Sequence, residues 1–259
     1  MGKCDGRVAA VTGGSRGIGR SIAEALLAEG ASVAICGRST ETGDKALAEM
    51  GAGERGLFVS CDVTDQAQVE GFIDRTAAQF GRLDILVNNA GGTDGFALTH
   101  ELSDQAWLKA LDWNLNSTFW ATRRALPHML PNQWGRIIAV SSVEGKQASK
   151  PAVSHYITNK HAINGFVKAV AFEYGPLGIT SNAICPGAVE TDMMADAGLA
   201  AAEAAGITYQ QFLDAYAQES MIKRLIGAEE VAAMAVLPSE AGGGITGALL
   251  NVDGGSSSW

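Results

Sequence analysis

The chain has little positive charge. Its 259 residues include 19 Lys and Arg against 28 Asp and Glu, which gives a formal net charge of −9. Nucleic acids and anionic membrane surfaces both bind proteins through clustered positive charge. The acidic composition therefore argues against either partner and favours a small-molecule ligand. No cluster of His, Asp and Glu has the spacing of metal ligands, so the sequence predicts no metal site.

Cysteines and long apolar runs are also scarce. The four cysteines, Cys4, Cys36, Cys61 and Cys185, match no zinc spacing, and three of them lie in apolar runs typical of strands. Reduced, buried thiols are expected. The first residues pass directly into a strand pattern without a basic and apolar leader, and no apolar run reaches about 18 residues. We therefore expect a cytoplasmic protein.

Short runs rich in Val and Ile alternate with longer amphipathic segments along the whole chain. The apolar runs include RVAAVT, SVAIC, LDILVNN and RIIAVSS. Such alternation is typical of parallel strands joined by crossover helices. Neither a linker nor an internal repeat divides the pattern. We expect one α/β domain over residues 1–259, built on a doubly wound, parallel, seven-stranded Rossmann sheet with helices on both faces.

One segment is longer than the other connections. Residues 193–225 contain two helical patterns between the sixth strand and the next helix. Connections of this length usually have a function of their own. The segment is predicted to be a helical lid over the substrate, with a contact between subunits as the alternative.

A glycine-rich loop follows the first strand. The run TGGSRGIG occupies positions 12–19, after a strand pattern and at the start of a helical one. Glycines let the backbone approach a pyrophosphate, which the N–H groups of the helix then bind. Gly13, Gly17, Ile18 and Gly19 are therefore predicted to contact the pyrophosphate of a dinucleotide through their backbone.

A tyrosine and a lysine stand one helical turn apart in YITNK. Tyr156 and Lys160 are at positions i and i+4, so they project from the same face of a helix. A free phenol has a pKa near ~10 and is a poor base at neutral pH, whereas a nearby cation favours the phenolate. The pair is predicted to act as an acid/base group. His161 points to another side of the helix and is expected to be packed or solvated.

These two motifs occur together with NNAG at 88–91, Asn114 in a helical pattern, Ser142, and the PG pair at 186–187. Together they resemble the short-chain dehydrogenase/reductase family over nearly the whole chain. The resemblance implies that a hydride passes between a nicotinamide dinucleotide and a ketone or secondary alcohol.

The resemblance also implies roles for four residues. Tyr156 would be the general acid/base, and Ser142 would hydrogen-bond the carbonyl oxygen. Lys160 would lower the pKa of the tyrosine and hold the nicotinamide ribose. Asn114 would position a water in a proton path to solvent, with Asn116 as the alternative.

Basic residues near the second strand favour NADP(H) over NAD(H). An acidic residue at the end of that strand would bind the adenosine ribose and repel a 2′-phosphate, but Gly37 and Arg38 stand there. In NADP-using relatives a basic residue at the place of Arg16 also faces the 2′-phosphate. Two arginines with hydroxyl neighbours at Ser15 and Ser39 suit a phosphate dianion.

The remaining cofactor contacts are those that the resemblance implies for the adenine, the adenosine ribose and the nicotinamide. They are Asp62 and Val63, then Asn89, Ala90 and Gly91, and finally Pro186, Gly187, Val189 and Thr191. The loop between Ser142 and Tyr156 is one residue longer than the family pattern, which a loop absorbs at little cost. Its Glu144, Gln147 and His155 are expected to be solvated, with substrate contact as the alternative.

The chain looks most similar to bacterial ketoreductases that act on 3-ketoacyl or polyketide-like substrates. An NAD-dependent 3-hydroxyacid or secondary-alcohol dehydrogenase is the alternative, because the long lid also resembles those enzymes. A non-catalytic dinucleotide sensor is a remote third. The family usually forms homotetramers or homodimers, and an apolar outer stripe of Phe166, Val170 and Phe172 is consistent with such an interface.

Overall fold

The computed structural model describes residues 2–235 and 239–257. Its seven strands form one parallel sheet in the order β3-β2-β1-β4-β5-β6-β7. The strands are β1 Val8–Thr12, β2 Ser32–Gly37, β3 Gly56–Ser60, β4 Ile85–Asn88, β5 Gly135–Val140, β6 Ile179–Pro186 and β7 Leu249–Val252. The order reverses direction between β1 and β4, and ligands of such sheets bind in the crevice at this point.

Helices cover both faces of the sheet, which confirms the predicted fold. They are α1 Gly17–Ala28, α2 Thr40–Glu49, α3 Gln66–Phe80, α4 Asp104–Leu111, α5 Ser117–Met129, α6 Ser154–Tyr174, α7 Asp192–Ala205, α8 Tyr209–Glu219 and α9 Ala228–Ala235. Apolar residues of α1, α2 and α9 pack in the core on one face. Those of α3, α5 and α6 pack on the other. Because β1, β4, β5 and β6 are buried along their full length, their sequences do not alternate between apolar and polar residues. β6 also buries three polar residues in succession, Thr180, Ser181 and Asn182.

A buried carboxylate joins the amino ends of β1 and β4. Asp84 accepts hydrogen bonds from the backbone N–H of Val8 at 2.9 Å and from two nitrogens of Arg82 at 2.7 and 2.6 Å. Arg7 lies 3.3 Å from the same carboxylate. Because ligands of parallel sheets bind at the carboxyl ends of the strands, this group at the amino ends contributes to the scaffold.

The helical stretch that contains Asn114 is interrupted. Between α4 and α5 the backbone forms a π-helical turn, Asp112–Asn116. A π-turn contains one residue more than the α-helical turn it replaces, and it leaves a carbonyl without its usual helical partner. The amide of Asn114 donates to the carbonyl of Ala110, in the last turn of α4, at 2.9 Å.

Two helices occupy most of the segment predicted as a lid. Gly206, with φ of 66°, ends α7, and Thr208 begins α8 with a capping box that includes Gln211. Tyr216 in α8 packs against Phe212 with the two rings tilted by 49° and their centroids 4.8 Å apart. The ammonium of Lys150 lies 4.3 Å from the ring centroid of Tyr216. It also pairs with Glu219. The loop that precedes α6 is therefore attached to α8.

Candidate active site

A cavity of about 1290 Å³ lies at the carboxyl ends of the strands. Every residue predicted to bind the cofactor lines this cavity except Gly19. Three of the four predicted catalytic residues line it as well, and Asn114 is the exception. Gly19 and Asn114 are both buried behind the wall. The structure therefore brings the predicted residues together, with two of them in supporting positions.

The glycine-rich loop forms one wall of the cavity. Gly13 and Gly17 have φ of 65° and 53°, a conformation that L side chains rarely adopt. A Cβ atom at Gly13 would lie 3.1 Å from the Asn89 amide nitrogen. At Gly19 it would lie 2.4 Å from that same atom. The bare backbone and the first N–H groups of α1 thus form a concave surface that fits a pyrophosphate.

The far end of the cavity is basic and rich in hydroxyl groups. Arg16 and Arg38 are exposed and line it, and neither is in an ion pair with another described residue. Ser39 caps α2 and accepts a hydrogen bond from the hydroxyl of Thr42 at 3.1 Å. A Cβ atom at Gly37 would lie 3.2 Å from the Ser15 hydroxyl. This end has room and donors for a phosphate group.

Tyr156 and Lys160 lie one turn apart in α6, as predicted. The Lys160 ammonium is 5.4 Å from the centroid of the Tyr156 ring and donates to the carbonyl of Val140 at 2.9 Å. Burial lowers the pKa of Lys160 to about 8. Burial also raises the pKa of Tyr156, while a hydrogen bond with Ser142 opposes this effect. The direction is therefore opposite to the expected lowering of the tyrosine pKa, because desolvation outweighs the hydrogen bond with Ser142.

Ser142 stands beside Tyr156 and caps a short 3-10 turn. Its hydroxyl oxygen accepts the N–H of Glu144 at 3.1 Å, so its O–H can donate, either to the Tyr156 oxygen or to a substrate oxygen. The hydroxyl of Ser141 instead donates to the Lys160 carbonyl at 3.3 Å. Ser142 is thus the better placed of the two serines to donate to a substrate oxygen.

The side chain of Asn114 hydrogen-bonds the backbone of the loop that follows β4. Its amide nitrogen donates to the carbonyl of Gly92 at 2.9 Å, and its oxygen accepts the N–H of Gly92 at 3.1 Å. With the bond to Ala110, these contacts occupy the amide of this fully buried side chain. The rival Asn116 donates to Asp112 at 2.7 Å and lies farther along the turn.

Some residues of the site were not predicted. Thr42, Asp94, Leu108, Lys109 and Trp113 also line the cavity. The sequence contains little indication of them, because most belong to α4 or to the loop before it, and neither contains a glycine-rich or catalytic motif.

Two loop residues that were expected to be solvated are buried. The Glu144 carboxylate accepts the backbone N–H of Ser149 at 3.0 Å and also pairs with its hydroxyl. His155 is buried against the loop after β4. Gln147, the third, is half-buried and donates to the carbonyl of Ser256 at 3.3 Å.

The sequence profile of the family described as short chain dehydrogenase matches residues 7–201, three quarters of the chain. The chain belongs to this family. It is an oxidoreductase, and the cavity at the carboxyl ends of its strands is the candidate active site.

Three known proteins resemble this short-chain dehydrogenase over almost their whole length. The 3-oxoacyl-(acyl-carrier-protein) reductase FabG of Escherichia coli is 39% identical over 97% of both chains. The D-beta-hydroxybutyrate dehydrogenase of Cupriavidus necator is 38% identical over 97% of this chain and 98% of its own. The crystal structure of a variant actinorhodin polyketide ketoreductase with NADPH has a TM-score of 0.92 at 35% identity and covers 100% of both chains.

Two sequence expectations concern the rest of the molecule. All four cysteines are free and buried, as expected. Within residues 2–235 and 239–257, no helix has both the length and the apolar character needed to span a membrane.

Proposed function

We propose that this short-chain dehydrogenase reduces a ketone with NADPH, and that its substrate is a 3-ketoacyl, polyketide-like or other bulky carbonyl compound. The observation that carries the proposal is the assembly of Tyr156, Ser142 and Lys160 at one side of the cavity. Similarity to a 3-oxoacyl reductase and to a polyketide ketoreductase supports the substrate class.

Each side chain has a defined task in this reaction. The bound dinucleotide would supply a hydride to the carbonyl carbon, and negative charge would develop on the carbonyl oxygen. The hydroxyl of Ser142 donates a hydrogen bond to that oxygen, and the phenol of Tyr156 donates its proton. Because burial raises the pKa of Tyr156, the phenol is protonated at neutral pH, as a proton donor must be. The ammonium of Lys160 stabilises the phenolate that remains.

The cofactor choice rests on the basic end of the cavity. Gly37 leaves the end of β2 without a carboxylate, and Arg16 and Arg38 border the cavity there. A 2′-phosphate is a dianion that guanidinium groups bind through paired hydrogen bonds. The polyketide ketoreductase whose structure contains NADPH supports this choice.

An NAD-dependent 3-hydroxyacid or secondary-alcohol dehydrogenase is the second candidate. Its support is the similarity to the D-beta-hydroxybutyrate dehydrogenase, which extends through α7 and α8. The two candidates predict opposite cofactor preferences. We propose that α7 and α8 act as the substrate lid in either case, because Thr191 at the start of α7 lines the cavity.

We also propose that the protein works in the cytoplasm as a homotetramer or homodimer. Reduced, buried cysteines suit a reducing compartment. On α6, Phe172 is 86% exposed, which suits an interface. Val170 instead packs in the core, and Phe166 is half-buried with its ring centroid 6.0 Å from that of Phe119. The predicted outer stripe is therefore narrower than the sequence indicated.

The cofactor is tested by fluorescence titration with NADPH and NADH in parallel. Binding of NADPH at least about tenfold tighter, which corresponds to about 1.4 kcal/mol, supports the reductive proposal. The Arg38→Asp variant should then lose NADPH affinity by a similar factor and keep its affinity for NADH. Tighter binding of NADH by the wild-type protein would favour the second candidate.

The chemistry is tested with the Tyr156→Phe variant on a panel of ketones. Loss of general acid catalysis should lower kcat by a factor of about 100 or more while NADPH still binds. Full ketone reduction by this variant would refute the assigned mechanism. Saturable cofactor binding without turnover on any ketone or alcohol would instead indicate a non-catalytic sensor.

A further inference from the structure

The loop after β4 forms the wall of the cavity that faces the catalytic helix. Its residues Gly92 and Asp94 line the cavity. Two buried polar side chains from different elements hold this short stretch. Asn114 binds both backbone groups of Gly92. His155 binds the next two residues.

The contacts of His155 show which ring nitrogen donates to the loop. Its Nε2 atom lies 2.9 Å from the backbone carbonyl oxygen of Asp94 and 3.1 Å from the hydroxyl oxygen of Thr93. A carbonyl oxygen can only accept, so Nε2 carries the proton and donates it. Nδ1 is buried and has no hydrogen-bond partner among the described residues. The ring therefore holds the loop through the N–H of Nε2 alone.

The position of His155 links the loop to the catalytic helix. It lies in the first turn of α6 and immediately precedes Tyr156. Its hydrogen bond to Asp94 thus joins the cavity wall to the helix that presents the phenol. The side chain of Asp94 pairs with Lys109, but both groups are exposed, and exposed pairs contribute little.

The loop is weakly held beyond this point. Phe96 is 60% exposed and Leu98 is 50% exposed. Between them, the N–H of Ala97 donates to the carbonyl of Ala152 at 3.1 Å, which is a contact with another loop. The buried side chains of Asn114 and His155, which bind residues 92–94, therefore hold this wall in place.

We propose that His155 is a positioning residue that fixes the wall at residues 92–94 relative to Tyr156 and so determines which face of a prochiral ketone meets the proton donor. The inference deepens the proposed ketone reduction and rests on it. His155 does not itself touch the reacting atoms. A shift of the wall changes the space beside Tyr156, and a displacement of about 1 Å is enough to alter the orientation of a bound substrate.

The test uses two amide variants that differ only in reach. In His155→Gln the amide nitrogen falls near the place of Nε2 and still reaches the Asp94 carbonyl. In His155→Asn it falls near the place of Nδ1 and is too short. The control is His161→Asn, because His161 is exposed on the same helix and, among the described residues, hydrogen-bonds the carbonyl of Ile157 within its own helix and no other group.

Two readouts are measured for each variant. The first is the ratio of the two alcohol enantiomers formed from a prochiral aryl ketone with NADPH, together with the KM for the ketone. This ratio does not depend on how much enzyme is folded, so a loss of stability alone leaves it unchanged. The second is the rate of chymotrypsin cleavage after Phe96 or Leu98, located by mass spectrometry, which needs no turnover.

We expect His155→Asn to change the enantiomer ratio by about threefold or more, to raise the KM by about fivefold and to speed cleavage by a similar factor. His155→Gln and the control should stay within about twofold of the wild-type protein. NADPH affinity should be unchanged in all three variants.

Three results would overturn the proposal. They are an unchanged cleavage rate in His155→Asn, an unchanged enantiomer ratio despite faster cleavage, and a His155→Gln variant that behaves like His155→Asn. If the wild-type protein reduces no ketone, the proposed function fails, and the cleavage rates alone then decide whether His155 holds the loop.

Discussion

Replacement of the buried lysine should stabilise the protein while it abolishes activity. Lys160 is buried, and its ammonium donates a hydrogen bond to the carbonyl of Val140. Its pKa is about 8, against an ordinary value of 10.5. Lys160→Met keeps most of the volume and removes the charge. Active sites commonly retain groups that destabilise the fold, because their function requires them.

The magnitude is set by the pKa of Lys160. The difference of about 2.5, at about 1.4 kcal/mol for each pKa unit, means that burial of the ammonium costs about 3 kcal/mol below pH 8. Loss of the hydrogen bond to Val140 destabilises the variant by about 1 kcal/mol and so offsets part of this gain in stability. Lys160→Met should therefore be about 2 kcal/mol more stable at neutral pH.

The extra stability of Lys160→Met over the wild-type protein should fall as the pH rises. Between pH 8 and 10.5 the unfolded wild-type chain binds a proton at Lys160 that the folded chain does not. The stability of the wild-type protein therefore rises with pH in this range. Lys160→Met lacks this dependence, so its advantage should shrink by about 2 kcal/mol between pH 7 and about pH 9.5.

The assay is urea unfolding at several pH values in this range, at one protein concentration because subunit association would add to the stability. Lys168→Met is the control, since Lys168 is exposed on the same helix, and it should change stability by less than about 0.5 kcal/mol. A Lys160→Met variant that is less stable than the wild-type protein at pH 7, or whose advantage does not fall with pH, would refute the reasoning.

Three further predictions concern the glycines and the scaffold. Gly19→Ala places a Cβ atom 2.4 Å from the Asn89 amide, and titration should show NADPH affinity reduced by about tenfold or more. Gly71→Ala meets open space within α3 and should stabilise the protein by about 0.5–1 kcal/mol in urea unfolding, without affecting the cofactor. Asp84→Ala leaves the buried N–H of Val8 unpaired between two arginines, and the same assay should show a loss of about 3–5 kcal/mol. Wild-type behaviour of Gly19→Ala or Asp84→Ala, or destabilisation by Gly71→Ala, would contradict the structure.

The parts of the fold that depend on local patterns were predictable from the sequence. Apolar runs of strand length and the glycine-rich loop depend on neighbouring residues, and the structure places them as predicted. The pairing of Tyr156 and Lys160 on one helix face is equally local. These features therefore require no knowledge of how distant segments pack.

The parts that depend on distant contacts were not predictable. Burial of His155 requires the loop after β4, and burial of Glu144 requires Ser149 to fold back onto it. The direction of the Tyr156 pKa depends on how much water the surrounding chain excludes. The contacts of Asn114 with Gly92 likewise depend on a π-turn, which the sequence pattern does not distinguish from an ordinary helix.

The π-turn restricts the changes in length that the chain can tolerate during evolution. Deletion of one residue within Asp112–Asn116 would restore a regular helix and rotate α4 by about 100° relative to α5. The amide of Asn114 would then turn away from either Gly92 or Ala110. An insertion in the loop between Ser142 and Tyr156 changes the phase of no helix, and it is tolerated where it spares the contacts of Glu144, Gln147 and Lys150. Viable descendants of this protein should therefore vary in the length of that loop and keep the length of the helix fixed.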